Sequence, residues 1–232
     1  MSLSHDPYQR IADVISSHHG PEARRDQLSL YVAIGDSFTA GTGCPPGEAW
    51  PDRLATSLRL RNPSLAFRNL AVEGATSAEV TDQLGEAIEL EPDLVTLVCG
   101  ANDVLRSTRP DVPAYARRLT TMLRRLRDAN PSVRIVTATA PDRWDFLELG
   151  PRTRARVEDG IERLNHATRD VARAHGIACL EVASHPGLSE PENFSADGLH
   201  PSALGHERAA RGFAALMREH GIEIGQPRGA KR

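Results

Sequence analysis

Ser37, His200 and Asp197 carry the chain's clearest chemical potential. Ser37 closes the stretch Gly35-Asp36-Ser37, and far downstream Asp197-Gly198-Leu199-His200 sets a carboxylate and an imidazole close together. A serine hydroxyl alone is a weak nucleophile. It attacks a carbonyl carbon when an imidazole takes its proton and a carboxylate holds that imidazole in the working tautomer. Ser37 follows the apolar run Leu30-Tyr31-Val32-Ala33-Ile34, where a buried parallel strand would end and present a side chain to a cleft. The pattern predicts a nucleophile (Ser37), a general base (His200) and an orienting acid (Asp197).

Such residues meet only if the chain between them folds to bring them together. Five short apolar runs, Leu28 to Ile34, Leu65 to Val72, Leu94 to Cys99, Val133 to Ala138 and Ile177 to Val182, read as buried strands. Between and after them lie helical patterns over Ala49 to Leu60, Ser77 to Ile88, Val112 to Asn130, Arg152 to His175 and Ser202 to His220. Asn130-Pro131 stops one helix, Pro151 opens the next, and Gly176 and Gly221 stand where helix ends favour a left-handed residue. Strand alternating with helix predicts an α/β fold: a three-layer α/β/α arrangement around a five-stranded parallel sheet. In such a sheet the ligand cleft lies at the carboxyl ends of the strands. Ser37 follows the first run, Gly74 the second, Asn102 the third, and Asp197 with His200 the fifth, so four loops converge on one rim.

The 232 residues suit one domain, 1–232, with an added helix over about 7–19 and a flexible tail over about 225–232. A formal net charge of -3, with Arg scattered among Asp and Glu, argues against nucleic-acid binding. Cys99 and Cys179 fall in apolar runs, where a thiol behaves as a small hydrophobe; Cys44, in a Gly/Pro loop with no matched base, is incidental. No segment approaches the roughly 18 apolar residues of a membrane span, and the start of the chain lacks a charged leader with an apolar stretch. These features predict a cytoplasmic protein. No cofactor or metal is expected: the tandem His18-His19 lacks further ligand spacing, and neither G-x-G-x-x-G nor a P-loop pattern occurs. A nucleophile elbow of the G-x-S-x-G kind is also missing.

Each short motif alone is ordinary; Gly-Asp-Ser is a common turn. Together and in order, Gly35-Asp36-Ser37-Phe38-Thr39-Ala40-Gly41, Asn69-Leu70-Ala71-Val72-Glu73-Gly74, Gly100-Ala101-Asn102-Asp103 and Asp197-Gly198-Leu199-His200-Pro201 resemble the consensus blocks of the SGNH, or GDSL, hydrolase family. The resemblance runs from Leu30 to Gly212. Trp50-Pro51-Asp52-Arg53-Leu54 and Gly205-His206 are similar to its intracellular actinobacterial-type members. It implies a flavodoxin-like sheet and a serine esterase or acylhydrolase acting on carboxylic esters or thioesters. The Ser37, His200 and Asp197 roles carry over. An oxyanion hole is implied from the Ser37 and Gly74 backbone N–H groups and the Asn102 amide. An amide there donates without a charge that would perturb His200.

Asp36 is expected to fix the nucleophile's loop by accepting backbone N–H bonds, and neither it nor Asp103 is assigned to the chemistry. Glu73 and Ala75 flank Gly74 where some members carry a small or acidic residue. Pro141-Asp142-Arg143-Trp144-Asp145-Phe146 reaches the rim after the fourth run, so Asp142 and Trp144 are candidates for substrate contact or for packing. The partner implied is a small-molecule ester. Hydrolysis and acyl transfer share the acyl-enzyme, so the sequence leaves both open, together with a catalytically silent scaffold and the oligomeric state.

Overall fold

The structure is a computed structural model and describes residues 27–225. The expected helix over 7–19, His18-His19 and nearly all of the expected tail lie outside these residues. Gly225, at the tail's predicted start, donates its N–H to the Ser57 carbonyl at 3.1 Å. In chain order the elements are β1 (Leu30–Gly35), α1 (Ser37–Ala40), α2 (Trp50–Arg59), β2 (Ala66–Asn69), α3 (Ser77–Asp82), α4 (Leu84–Glu89), β3 (Leu94–Val98), α5 (Ala101–Leu105), α6 (Val112–Ala129), β4 (Arg134–Ala138), α7 (Pro151–Ala174), β5 (Ala178–Leu180) and α8 (Ala203–Glu219). Two 3₁₀ turns, Pro186–Ser189 and Pro191–Asn193, precede α8.

The five strands pair in parallel in the order β2-β1-β3-β4-β5. Side chains alternate across a strand, so each strand feeds two cores. Val32, Ile34, Val95 and Leu97 pack with α3, α4, α6 and α7 on one face. Tyr31, Ala33, Val136 and Ala178 pack with Trp50 and Leu54 of α2 and Phe213 and Met217 of α8 on the other. The result is the expected three-layer α/β/α sheet. Among the described residues no helix is long and apolar enough to cross a membrane.

Two expectations change in detail. β2 is not buried: Ala66, Arg68 and Asn69 are exposed, because β2 is an edge strand with a single partner. The helix expected over Ser77 to Ile88 is broken at Gln83 into α3 and α4. Gln83 turns its amide onto the end of β1, where Oε1 accepts the Gly35 N–H and Nε2 donates to the Gly35 carbonyl, both at 2.8 Å. That pairing gives Gly35 a substitute strand partner at the point where the chain leaves the sheet for Ser37.

Candidate active site

Ser37 opens α1, directly after β1. Asp36 caps the helix, its carboxylate accepting the Phe38 N–H at 3.1 Å, as expected for a loop-fixing residue. Burial pushes its carboxyl up to about 7, against the lowering effects of that hydrogen bond and of nearby His200. The turn is compact because Gly35 lets β1 approach β3: a Cβ there would lie 2.2 Å from the Val98 carbonyl oxygen.

The loop from Phe194 to Pro201 closes on itself through a β-bridge between those two residues. Asp197 organises it. One carboxylate oxygen accepts the Ser195 hydroxyl at 2.7 Å and the backbone N–H groups of Leu199 and His200 at 2.8 and 2.9 Å. The other accepts His200 Nδ1–H at 2.7 Å. Burial favours the neutral acid, but these four hydrogen bonds prevail and hold Asp197 well below the usual carboxylate range. With Nδ1 donating, His200 Nε2 keeps a lone pair. Gly43 is required behind this loop: its φ is +94°, and a Cβ would lie 2.5 Å from the Pro201 carbonyl oxygen and 3.1 Å from His200 Cβ.

A third cluster ties the end of β3 to the loop after β2. Asn102 Nδ2 donates to the Ala75 carbonyl at 3.1 Å, leaving its second N–H available. Asp103 accepts the Ser77 N–H and hydroxyl at 2.7 and 2.6 Å, so it caps α3 instead of facing the cleft. Arg106 donates to the Gly74 carbonyl at 2.7 Å. Three side chains of one helical turn therefore hold Gly74, Ala75 and Ser77.

Ser37, Asn102, His200 and Trp144 line one cavity of about 190 Å³. Asp197 stands behind His200, and Gly74 is joined to the site through Asn102 and Arg106 rather than through the cavity wall. Among the described residues no hydrogen bond closes Ser37 Oγ onto His200, a contact often made only once substrate is bound. Asp142 departs from its candidacy: it is absent from the cavity wall, and its carboxylate is occupied by the Ser184 N–H and hydroxyl at 2.8 and 2.9 Å. There it secures a turn in which Ser184 has φ +61°. Trp144 is buried in the wall, and neighbouring Phe146 packs on Phe194 with ring centroids 4.9 Å apart. Cys44 is a bystander, its thiol pushed up by burial and by nearby Glu48.

Sequence reasoning missed Gln83, Gly43 and Arg106. Arg106 had a local signal, since it lies one helical turn after Asn102 and shares its face. Gln83 and Gly43 had none, because their partners are distant in sequence.

Residues 33–208 match the model of the GDSL-like lipase/acylhydrolase family. The chain belongs to that family. It is thereby an ester-hydrolysing enzyme. A GDSL lipase of Mycobacterium tuberculosis is 28% identical over 82% of each chain. An arylesterase of Vibrio mimicus is 25% identical over 73% of this chain and 78% of its own. The crystal structure of a lipase/acylhydrolase from Enterococcus faecalis superposes with a TM-score of 0.67 at 22% identity, covering 86% of this chain and all of the other, and shares the fold.

Proposed function

We propose that this enzyme cleaves carboxylic esters and thioesters through a covalent Ser37 acyl-enzyme. The observation that carries the reading is the His200–Asp197 pair at 2.7 Å, with His200 in the wall of the cavity that holds Ser37. Ser37 Oγ attacks the carbonyl carbon as His200 Nε2 takes its proton. Asp197 stabilises the imidazolium that forms. The negative charge on the carbonyl oxygen meets the N–H groups of Ser37 and Gly74 and the free N–H of Asn102, donors fixed before the charge develops. His200 then passes its proton to the leaving oxygen or sulfur. Water attacks the acyl-enzyme by the same route in reverse and frees the acid.

The test is inactivation by an organophosphate, followed by peptide mass spectrometry. The adduct is expected on Ser37, and Ser37→Ala should lose on the order of 10³ or more in kcat. An adduct on another residue, or near-normal turnover by Ser37→Ala, would overturn the mechanism.

A further inference from the structure

Trp50 and His206, 156 residues apart, meet behind the site. His206 lies in the first turn of α8, is fully buried and takes no part in the cavity wall. Its ring makes two hydrogen bonds of opposite sense. Nδ1 accepts the Trp50 N–H at 3.3 Å, and Nε2 donates to the Thr42 carbonyl at 3.2 Å. An N–H can only donate and a carbonyl only accept, so the two partners fix the neutral tautomer with its proton on Nε2. Burial pushes the imidazole down, and Arg53 of α2 and His200 act the same way, against the raising effect of the Thr42 bond. The Trp50 bond has a local cause: Trp50 opens α2, where its N–H has no partner in the helix, and Ala49 before it offers no side-chain cap.

Thr42 ties this ring to the chemistry. Its N–H, with that of Gly41, donates to the Ser37 carbonyl at 3.0 and 3.1 Å. Gly43, the next residue, lies against His200 and Pro201 so closely that a Cβ has no room. Residues 41–43 thus form a strap that touches the nucleophile at one end and the base at the other. His206 grips the strap at its middle, and its ring also stacks on Phe38, the neighbour of Ser37, with centroids 5.9 Å apart. Gly205 brings α8 close enough for this: a Cβ there would lie 2.9 Å from Pro201 Cβ and 2.2 Å from the Asn193 carbonyl oxygen.

We propose that His206 is a positioning residue for the acyl-transfer step, its Nε2–H holding the Thr42 carbonyl so that the strap fixes Ser37 relative to His200. The inference rests on the Ser37–His200 reading. A displacement of about 1 Å between reacting groups can cost about 10² in rate, so loss of this grip is expected to appear in kcat. His206 touches no ligand, so KM should stay nearly as it is.

Three variants divide the ring. His206→Gln keeps a donor that reaches Thr42 and loses the acceptor for Trp50. His206→Asn keeps an acceptor at the place of Nδ1 and falls short of Thr42. His206→Phe keeps the stacking on Phe38 and loses both bonds. Each is measured for kcat and KM with a p-nitrophenyl ester and for the rate of organophosphate inactivation. Rates are normalised to the Ser37 sites that take up the reagent, counted by mass spectrometry, so unfolded protein drops out. His206→Asn and His206→Phe should lose about 10- to 100-fold in kcat and in inactivation rate, with KM within about twofold, while His206→Gln stays within about threefold of wild type. A merely structural role would lower the melting temperature and leave the per-site rates intact. That outcome, or a His206→Gln enzyme no faster than His206→Asn, overturns the proposal. Where His206→Phe does not fold, the Gln and Asn variants, each keeping one bond, decide the question. A wild-type enzyme that takes up no organophosphate on Ser37 would instead overturn the reading on which the proposal rests.

Discussion

Replacing Asp197 with Asn separates the residue's two duties. In the structure one carboxylate oxygen holds three donors, the Ser195 hydroxyl and the Leu199 and His200 N–H groups, while the other accepts His200 Nδ1–H. An asparagine that keeps its carbonyl oxygen toward the three donors must turn its NH₂ toward Nδ1. The imidazole then carries its proton on Nε2 and cannot accept the one from Ser37. A well-shielded orienter can be worth about 10⁴ in kcat. Asp197's side chain is 48% exposed, so water can compete for Nδ1. The expected loss is therefore smaller, about 10² to 10³, or roughly 3–4 kcal/mol in the barrier. The flipped amide would preserve the tautomer but set NH₂ against three donors, at about 1 kcal/mol of stability for each lost bond. Initial rates at saturating p-nitrophenyl ester and a thermal melt distinguish these outcomes: slow and stable, or active and less stable. A variant with both wild-type kcat and wild-type Tm would refute the assignment.

Asn102→Ala should lower kcat by about 10² to 10³ with KM little changed; because Asn102 also donates to Ala75, the melt should drop by about the worth of one hydrogen bond, ~1 kcal/mol, and unchanged kcat would refute the oxyanion role. Arg106→Ala removes the exposed clamp on the Gly74 carbonyl, so kcat should fall about tenfold at a stability cost under about 1 kcal/mol; steady-state kinetics beside a melt checks this, and wild-type kcat contradicts it. Asp36 is raised to about 7 by burial, so the folded state resists its ionisation while the unfolded chain ionises from about pH 4. Stability should therefore decline as pH rises from about 4 to about 7 and level off above, and Asp36→Asn should flatten that decline and melt higher at pH 8, with a ceiling of about 4 kcal/mol; parallel Tm–pH curves for the two proteins would disprove it.

Local pattern made the sheet legible. A strand buried on both faces must be almost wholly apolar, and the runs around Val32, Val95 and Val136 have that character. Once the strands are placed, the rim rule puts Ser37 and Asn102 just past the ends of β1 and β3, where both line one cavity. What stayed hidden depends on partners far along the chain. Gln83 breaks a helix for a peptide at Gly35, Asp142 is taken by Ser184, and Gly43 is glycine because Pro201 lies against it. β2 reads like its neighbours because Leu65 and Leu70, which bracket it, are apolar, while the strand itself is an exposed edge.

Three cross-loop ties join α5 to the loop after β2. Oxyanion donors help only if they are aimed before charge appears, since reorienting them during the reaction would cost part of what they supply. In the proposed mechanism Gly74 is one of these donors, and it is poorly suited to hold its own aim: its φ is +73°, and nothing lies within 4 Å of where its Cβ would be. The turn of α5 corrects this through three side chains. Arg106 takes the Gly74 carbonyl, Asn102 the Ala75 carbonyl, and Asp103 the start of α3 at Ser77. Asn102 steadies the loop with one N–H, and the proposed mechanism gives its other N–H to the substrate oxygen. The Gly-Ala-Asn-Asp stretch reads as an ordinary loop in the sequence because Asn102 and Asp103 are polar residues any turn would carry, and only their partners Ala75 and Ser77 across the rim reveal the arrangement.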